Sequence, residues 1–138
     1  MTGVYNHSLD SKGRVFVPAK LREEIGDVCY ITISPDSCLN VYSLSGWREL
    51  SDKVNAMPYM KQRKIRSLFA WASKCELDAQ GRILIPQGLR RYAGIEKNVA
   101  VVGANNHAEI WNSDRWDESA AIENLSESIG AIMEELEF

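Results

Sequence analysis

The chain has 138 residues, with 16 Lys and Arg against 19 Asp and Glu for a net charge of −3. That length allows one or two small domains, and the odd set Cys29, Cys38 and Cys75, with no Cys-x-x-Cys pair, sets aside a zinc site or a disulfide framework in favour of buried free thiols. No apolar stretch is long enough to span a bilayer and residues 1–6 lack the parts of a signal peptide, so a soluble cytosolic protein is expected.

In chain order, residues 3–9 alternate Val4, Asn6 and Ser8 against Tyr5, His7 and Leu9, the period of a strand. Asp10 and Gly13 then hold the first and fourth positions of a type I turn, where Gly supplies the left-handed conformation that closes a bulged hairpin. The strand that follows puts Val15 and Val17 on one face and Arg14 on the other. Pro18 suits the first helical position and Gly26 the stop, with Leu21 and Ile25 facing inward between them. Residues 28–34 and 39–43 read as a second strand pair, and Ser45 as the N-cap of a helix. Beyond Pro58 a further helix runs to about residue 73 with Met60, Ile65, Leu68, Phe69 and Ala72 on one face. The stretch 53–74 carries Lys53, Lys61, Arg63, Lys64, Arg66 and Lys74 without an acid, either a solvated face or an aid to the approach of a polyanion.

At residue 77 the pattern starts again, 68 positions after its first appearance. Leu9, Asp10, Gly13, Arg14, Pro18, Leu21, Arg22 and Gly26 recur as Leu77, Asp78, Gly81, Arg82, Pro86, Leu89, Arg90 and Gly94, and Val15 and Val17 become Ile83 and Ile85. Residues 98–102 and 107–111 form the second strand pair, and the aromatic Tyr42 five positions before Trp47 returns as Trp111 before Trp116, one extra residue later. Ser113 or Asp114 caps the last helical stretch, with Trp116, Ala120, Ile122, Leu125, Ile129, Ile132, Met133 and Leu136 spaced for packing or a subunit contact. Residues 107–138 hold nine acids and only Arg115, so residues 1–106 carry +5 and the modest net charge hides a division along the chain.

Self-similarity on this scale defines the architecture. The expected fold is α+β, a tandem duplication of a β-hairpin, short helix, β-hairpin and helix, with units 1–73 and 74–138. Each unit alone, at roughly 65 to 70 residues, would bury only about 60% of its unfolded surface, so the two are expected to share one core.

The repeated Asp-x-x-x-Arg is the element with chemistry to offer. A carboxylate four residues before a guanidinium across a tight turn can fix the Arg by a bidentate contact. The same pair, Asp10 with Arg14 or Asp78 with Arg82, also serves as a brace of the turn and nothing more. Lys12 at the first tip and Arg22, Arg90 and Arg91 on the short helices add cations around it, which favours a fixed Arg presenting donors to a phosphate or a guanine edge. The halves are unequal, because Gln80 stands where the first turn has Lys12, and Glu23 where the second helix has Arg91.

With these motifs, with Gly3 and Tyr5, with Val102 and Gly103, and with Glu109, Ile110 and Trp111, the sequence resembles the MraZ family of bacterial transcriptional regulators through almost its whole length. Each half also resembles the AbrB-type swapped-hairpin DNA-binding domain. The resemblance implies an AbrB-like double repeat that binds double-stranded DNA at short promoter direct repeats ahead of the cell-division and cell-wall operon. It implies a ring-shaped homo-oligomer in the cytoplasm, associated with the nucleoid, with no cofactor, membrane or small-molecule substrate. Family arginines map onto Arg14 and Arg82, oriented by Asp10 and Asp78, and AbrB-type domains use cations at the places of Arg22, Arg90 and Arg91. An antidote-like module of a toxin–antitoxin pair, with the acidic C-terminal segment as its grip, is the alternative. An enzyme is not expected, because acid–base work needs a positioned pair such as His with a carboxylate across a cleft.

Overall fold

The computed structural model describes residues 1–120 and 125–138; Ile122 of the expected apolar stripe lies outside them. The first repeat runs β1 (Val4–Ser8), β2 (Arg14–Phe16), α1 (Ala19–Ile25), β3 (Val28–Ile33), β4 (Leu39–Ser43), α2 (Leu44–Asn55) and α3 (Tyr59–Ala70). The second runs β5 (Ser73–Glu76), β6 (Arg82–Leu84), α4 (Gln87–Ala93), β7 (Asn98–Gly103), β8 (Ala108–Asn112), α5 (Ser113–Ser119) and α6 (Ser126–Glu135). The fold is α+β and its element order repeats, as expected.

The first hairpin of each repeat is where the structure departs from the sequence reading. Asp10 and Arg14 close the turn through a 2.9 Å backbone hydrogen bond, but β1 and β2 do not continue as a ladder. Instead β1 pairs antiparallel with β7, Tyr5 opposite Val101, while β2 pairs with β6, Val15 opposite Ile83. In the same way β5 of the second repeat pairs with β3 of the first. The six-stranded sheet therefore has the order β1-β7-β8-β4-β3-β5, which exchanging the two repeats maps onto itself, and β2-β6 forms a separate two-stranded ribbon with one strand from each repeat. An Asp-x-x-Gly turn dictates only a local reversal of the chain. What the strands then pair with is decided by where their apolar faces can be buried.

Three layers result. Tyr30 and Ile31 are neighbours in β3 and point to opposite faces of the sheet. On one side Ile31, Leu39, Val41, Val99, Val101 and Ile110 form a single core with Val15 and Ile83 from the ribbon strands, Val17 and Ile85 just after them, and Leu21, Ile25, Leu89 and Ala93 from α1 and α4. Two seven-residue helices are too short to stand alone in water, so this burial is what holds them. On the other side Trp47 of α2 stacks on Tyr30 at 4.6 Å and Phe69 of α3 lies 5.3 Å from Trp47. Trp47 also lies 5.9 Å from Tyr42, and the equivalent of that contact in the second repeat is Trp116 of α5 edge-on to Trp111 at 5.5 Å.

Capping also differs from expectation in a consistent way. The cap of α2 is Ser43, whose hydroxyl accepts from the Gly46 N–H at 3.1 Å, and not Ser45. That of α5 is Asn112, accepting from Asp114 and Arg115, and not Ser113 or Asp114. In both repeats the last strand residue turns directly into the helix with no loop between, so the cap lies on the strand side. Pro18 and Pro86 are likewise N-caps with extended ψ, one position before the helices they start. Met60 departs from its expected apolar face and is 61% exposed in the first turn of α3. Ser37 and Asn105, 68 positions apart, are both left-handed, which places the one inserted residue of the second repeat after Asn105.

Cys29, Cys38 and Cys75 are buried free thiols, and burial pushes the first two up to about 12. No helix among the described residues is long and apolar enough to cross a membrane. Ile83 is fully buried at the junction of ribbon and sheet, so Ile83→Ala should lower the unfolding free energy by about 2 to 5 kcal/mol in urea titration, a loss under 1 kcal/mol arguing against a shared core.

Candidate nucleic-acid interface

The two Asp-x-x-x-Arg turns come out nearly superimposable in their bonding. Asp10 Oδ1 accepts from the backbone N–H of Lys12 at 2.9 Å and of Arg14 at 2.8 Å, and its Oδ2 accepts from Arg14 Nε at 2.7 Å. Asp78 does the same with Gln80, Arg82 and Arg82 Nε at 2.9, 2.9 and 2.8 Å. The carboxylate thus fastens its Arg by one side-chain bond and one backbone bond, not by the bidentate fork expected from the sequence. Among the described residues the Arg14 side chain makes no other hydrogen bond, so its Nη groups keep their donors for a partner.

The arginines are also brought together. Exchange of strands sets Arg82 opposite Phe16 and Arg14 opposite Leu84, and Arg82 Nη1 lies 3.6 Å from Asp10 Oδ2 of the other repeat. The Arg82 guanidinium sits 5.9 Å over the Phe16 ring. Because Val15 and Ile83 point into the core, Arg14, Phe16, Arg82 and Leu84 share the outer face of the ribbon, with Phe16 45% and Leu84 53% exposed. Phe16 and Leu84 were missed from the sequence, although their alternation with Val15, Val17, Ile83 and Ile85 marks them as outward positions.

The remaining cations divide. Lys12 is exposed at the first tip and Arg91 is exposed on α4. Arg22 and Arg90 cross to the opposite repeat: a Cβ on Gly13 would fall 2.9 Å from Arg90 Cζ, and one on Gly81 2.8 Å from Arg22 Cζ. Both glycines have φ near +80°, the left-handed turn position, so they serve the backbone and the overlying guanidinium at once. The Nε of Arg90 is buried with no hydrogen-bond partner among the described residues. The cations of 53–74 lie on the opposite side of the sheet, where α3 packs its Leu68 carbonyl onto the Thr32 hydroxyl. One further polar cluster went unread: His107 Nε2 meets Glu109 Oε2 at 3.0 Å and Trp111 Nε1 donates to Glu109 Oε1 at 2.9 Å, which holds Glu109 below its ordinary range.

Electrostatics follow from these bonds. The Asp10 carboxyl falls from its ordinary 3.8 to about 2, first because the Arg14 backbone N–H donates to it, with the Arg14 guanidinium and the Lys12 N–H adding. Asp78 is lowered for the same reason by Arg82 and Gln80. A depressed carboxylate contributes stability above its unfolded pKa and loses it as pH falls through the folded value. The turns should therefore stay ordered at pH 4 and loosen between the ordinary 3.8 and about 2, with the Asp10 carboxyl carbon titrating near the lower figure by NMR. A midpoint near 3.8 would mean that the turn does not hold the arginine in solution.

Taken together this is a rigid, partly apolar ribbon with two pre-aligned guanidinium groups, and no group of three or more His, Cys, Asp or Glu that could hold a metal occurs among the described residues. A family model described as "MraZ protein, putative antitoxin-like" matches residues 1–67 and 68–131. Similar proteins named transcriptional regulator MraZ include one from Alkaliphilus metalliredigens, 46% identical over 97% of this chain and 96% of its own. Another, from Acetivibrio thermocellus, is 43% identical over 95% and 94%, and one from Caldicellulosiruptor bescii 44% over 99% and 98%.

Proposed function

The chain belongs to the MraZ family, and from that premise we propose that it is a sequence-specific DNA-binding transcriptional regulator acting through the β2-β6 ribbon. The observation that carries this is the pair of aspartate-held arginines on the outer face of a two-stranded ribbon. A ribbon of that width enters the major groove, where an Arg pairs with O6 and N7 of guanine. Arg14 and Arg82 read bases, with Asp10 and Asp78 fixing their pose. Lys12 and Arg91 grip phosphate. Arg22 and Arg90 lock the turns across the repeats and add positive potential at the same surface. The exposed Phe16 and Leu84 contact thymine methyl groups.

In this reading the DNA is a set of short direct repeats upstream of the cell-division and cell-wall operon, and several copies of the chain engage them as a ring-shaped homo-oligomer in the cytoplasm, at the nucleoid. No catalytic step is assigned to the molecule. The acidic C-terminal segment also suits the antidote-like alternative, in which removing residues 126–138 would release a co-purifying protein without changing DNA affinity.

Equilibrium titration of the purified protein with the DNA upstream of its own gene, against unrelated DNA of equal length at two salt concentrations, tests the assignment. Preference for the upstream DNA, falling steeply as salt rises, is the expected result. Equal affinity for both DNAs would remove sequence recognition from the ribbon.

A further inference from the structure

Two apolar surfaces have nothing packed on them among the described residues. One is a groove of about 270 Å³ between α2 and α3, walled by Val54, Tyr59 and Phe69 with the exposed Arg63 and Arg66 beside them. The other is α6, on which Ile129, Ile132, Met133 and Leu136 fall in one stripe at three-four spacing and are 55%, 54%, 41% and 61% exposed.

Their charges are opposite and unmixed. Residues 53–74 hold six cations and no acid, while 126–138 hold Glu127, Glu134, Glu135 and Glu137 and no cation. A groove lined by apolar side chains suits an amphipathic helix better than a phosphate backbone, and the flanking arginines select one with an acidic flank. Within the protomer neither surface covers the other, since every described residue of α6 after Leu125 is exposed. Each chain supplies one helix and one groove, so matching them between chains gives a head-to-tail contact that repeats with every added copy.

We propose that α6 of one chain docks into the α2-α3 groove of the next, its apolar stripe on Val54, Tyr59 and Phe69 and Glu135, at the edge of that stripe, against Arg63 and Arg66. The proposal rests on the homo-oligomeric part of the reading above and leaves the ribbon free on the other side of the sheet.

Light scattering on the full-length chain tests it. Ile132→Asp, which spoils the helix, and Arg63→Glu with Arg66→Glu, which spoils the groove, should each reduce the parent assembly to monomer. An equimolar mixture of the two variants should yield a pair and nothing larger, because one sound helix meets one sound groove. Adding Glu135→Arg to the groove variant should restore the parent mass, a result that also answers the objection that a variant had merely failed to fold. A multi-copy parent whose mass none of these changes alters would overturn the docking and leave the assembly reading intact. A monomeric parent would overturn both, and a monomer with α6 cross-linked to its own groove would assign the contact to a single chain. DNA titration reports separately on the ribbon.

Discussion

Arg14→Ala combined with Arg82→Ala should lower affinity for the repeat-bearing DNA by about 100-fold or more at matched salt, with the circular dichroism spectrum and assembly mass unchanged. Each arginine paired with a guanine is worth about 1 to 3 kcal/mol, and both stand on the one outward face of the ribbon. The fold should survive, since Asp10 and Asp78 keep the backbone N–H groups of Lys12, Arg14, Gln80 and Arg82 after the guanidinium groups are gone. Arg14→Lys separates charge from geometry: a lysine keeps the phosphate attraction and its salt dependence but not the planar fork, so discrimination should fall further than total binding. Undiminished affinity in the double variant would place the DNA site elsewhere on the molecule.

The second large effect concerns the DNA. Cutting the direct repeats to a single copy should weaken binding by roughly 10²- to 10⁴-fold, because linked sites turn each later contact into an intramolecular one. The salt dependence should become shallower in the same experiment, as fewer phosphates are neutralised. Equal affinity for one repeat and for the full set would mean that a single protomer does all the binding.

What could be read from the sequence is what short-range chemistry decides. Asp10, Gly13, Asp78 and Gly81 sit in the turns their types demand, and the alternation around Val15, Val17, Ile83 and Ile85 separates the buried from the outward face correctly. Leu21, Ile25, Leu89 and Ala93 are the inward positions of α1 and α4. The partner of each strand was not legible, because Val15 opposite Ile83 and Val15 opposite a residue of β1 satisfy the same pattern of one residue in and one out. Nor was the crossing of Arg22 onto Gly81 and of Arg90 onto Gly13, which exists only once the strands have been exchanged. The aspartates could be paired with their arginines by spacing, but that Oδ1 is spent on backbone N–H groups, leaving Oδ2 for Nε alone, is a property of the folded turn. His107 just before β8 and Glu109 within it lie two apart, and they would have been found by asking which polar side chains fall in the same alternation as Trp111.

Exchange of strands between the repeats also sets a timetable for synthesis. Val15 waits for Ile83, 68 residues further along the chain, and at about 5 to 20 residues per second that wait is roughly 3 to 14 s. Tyr5 waits longer still, for Val101. For that interval the emerging first half has its turn formed but Val15, Val17 and Leu21 uncovered, so the ribosome-bound chain is at its most vulnerable to aggregation just before β6 and β7 appear. Collapse to the native sheet then comes late and as a single event, when the second copy of the motif supplies the strands that the first has been missing.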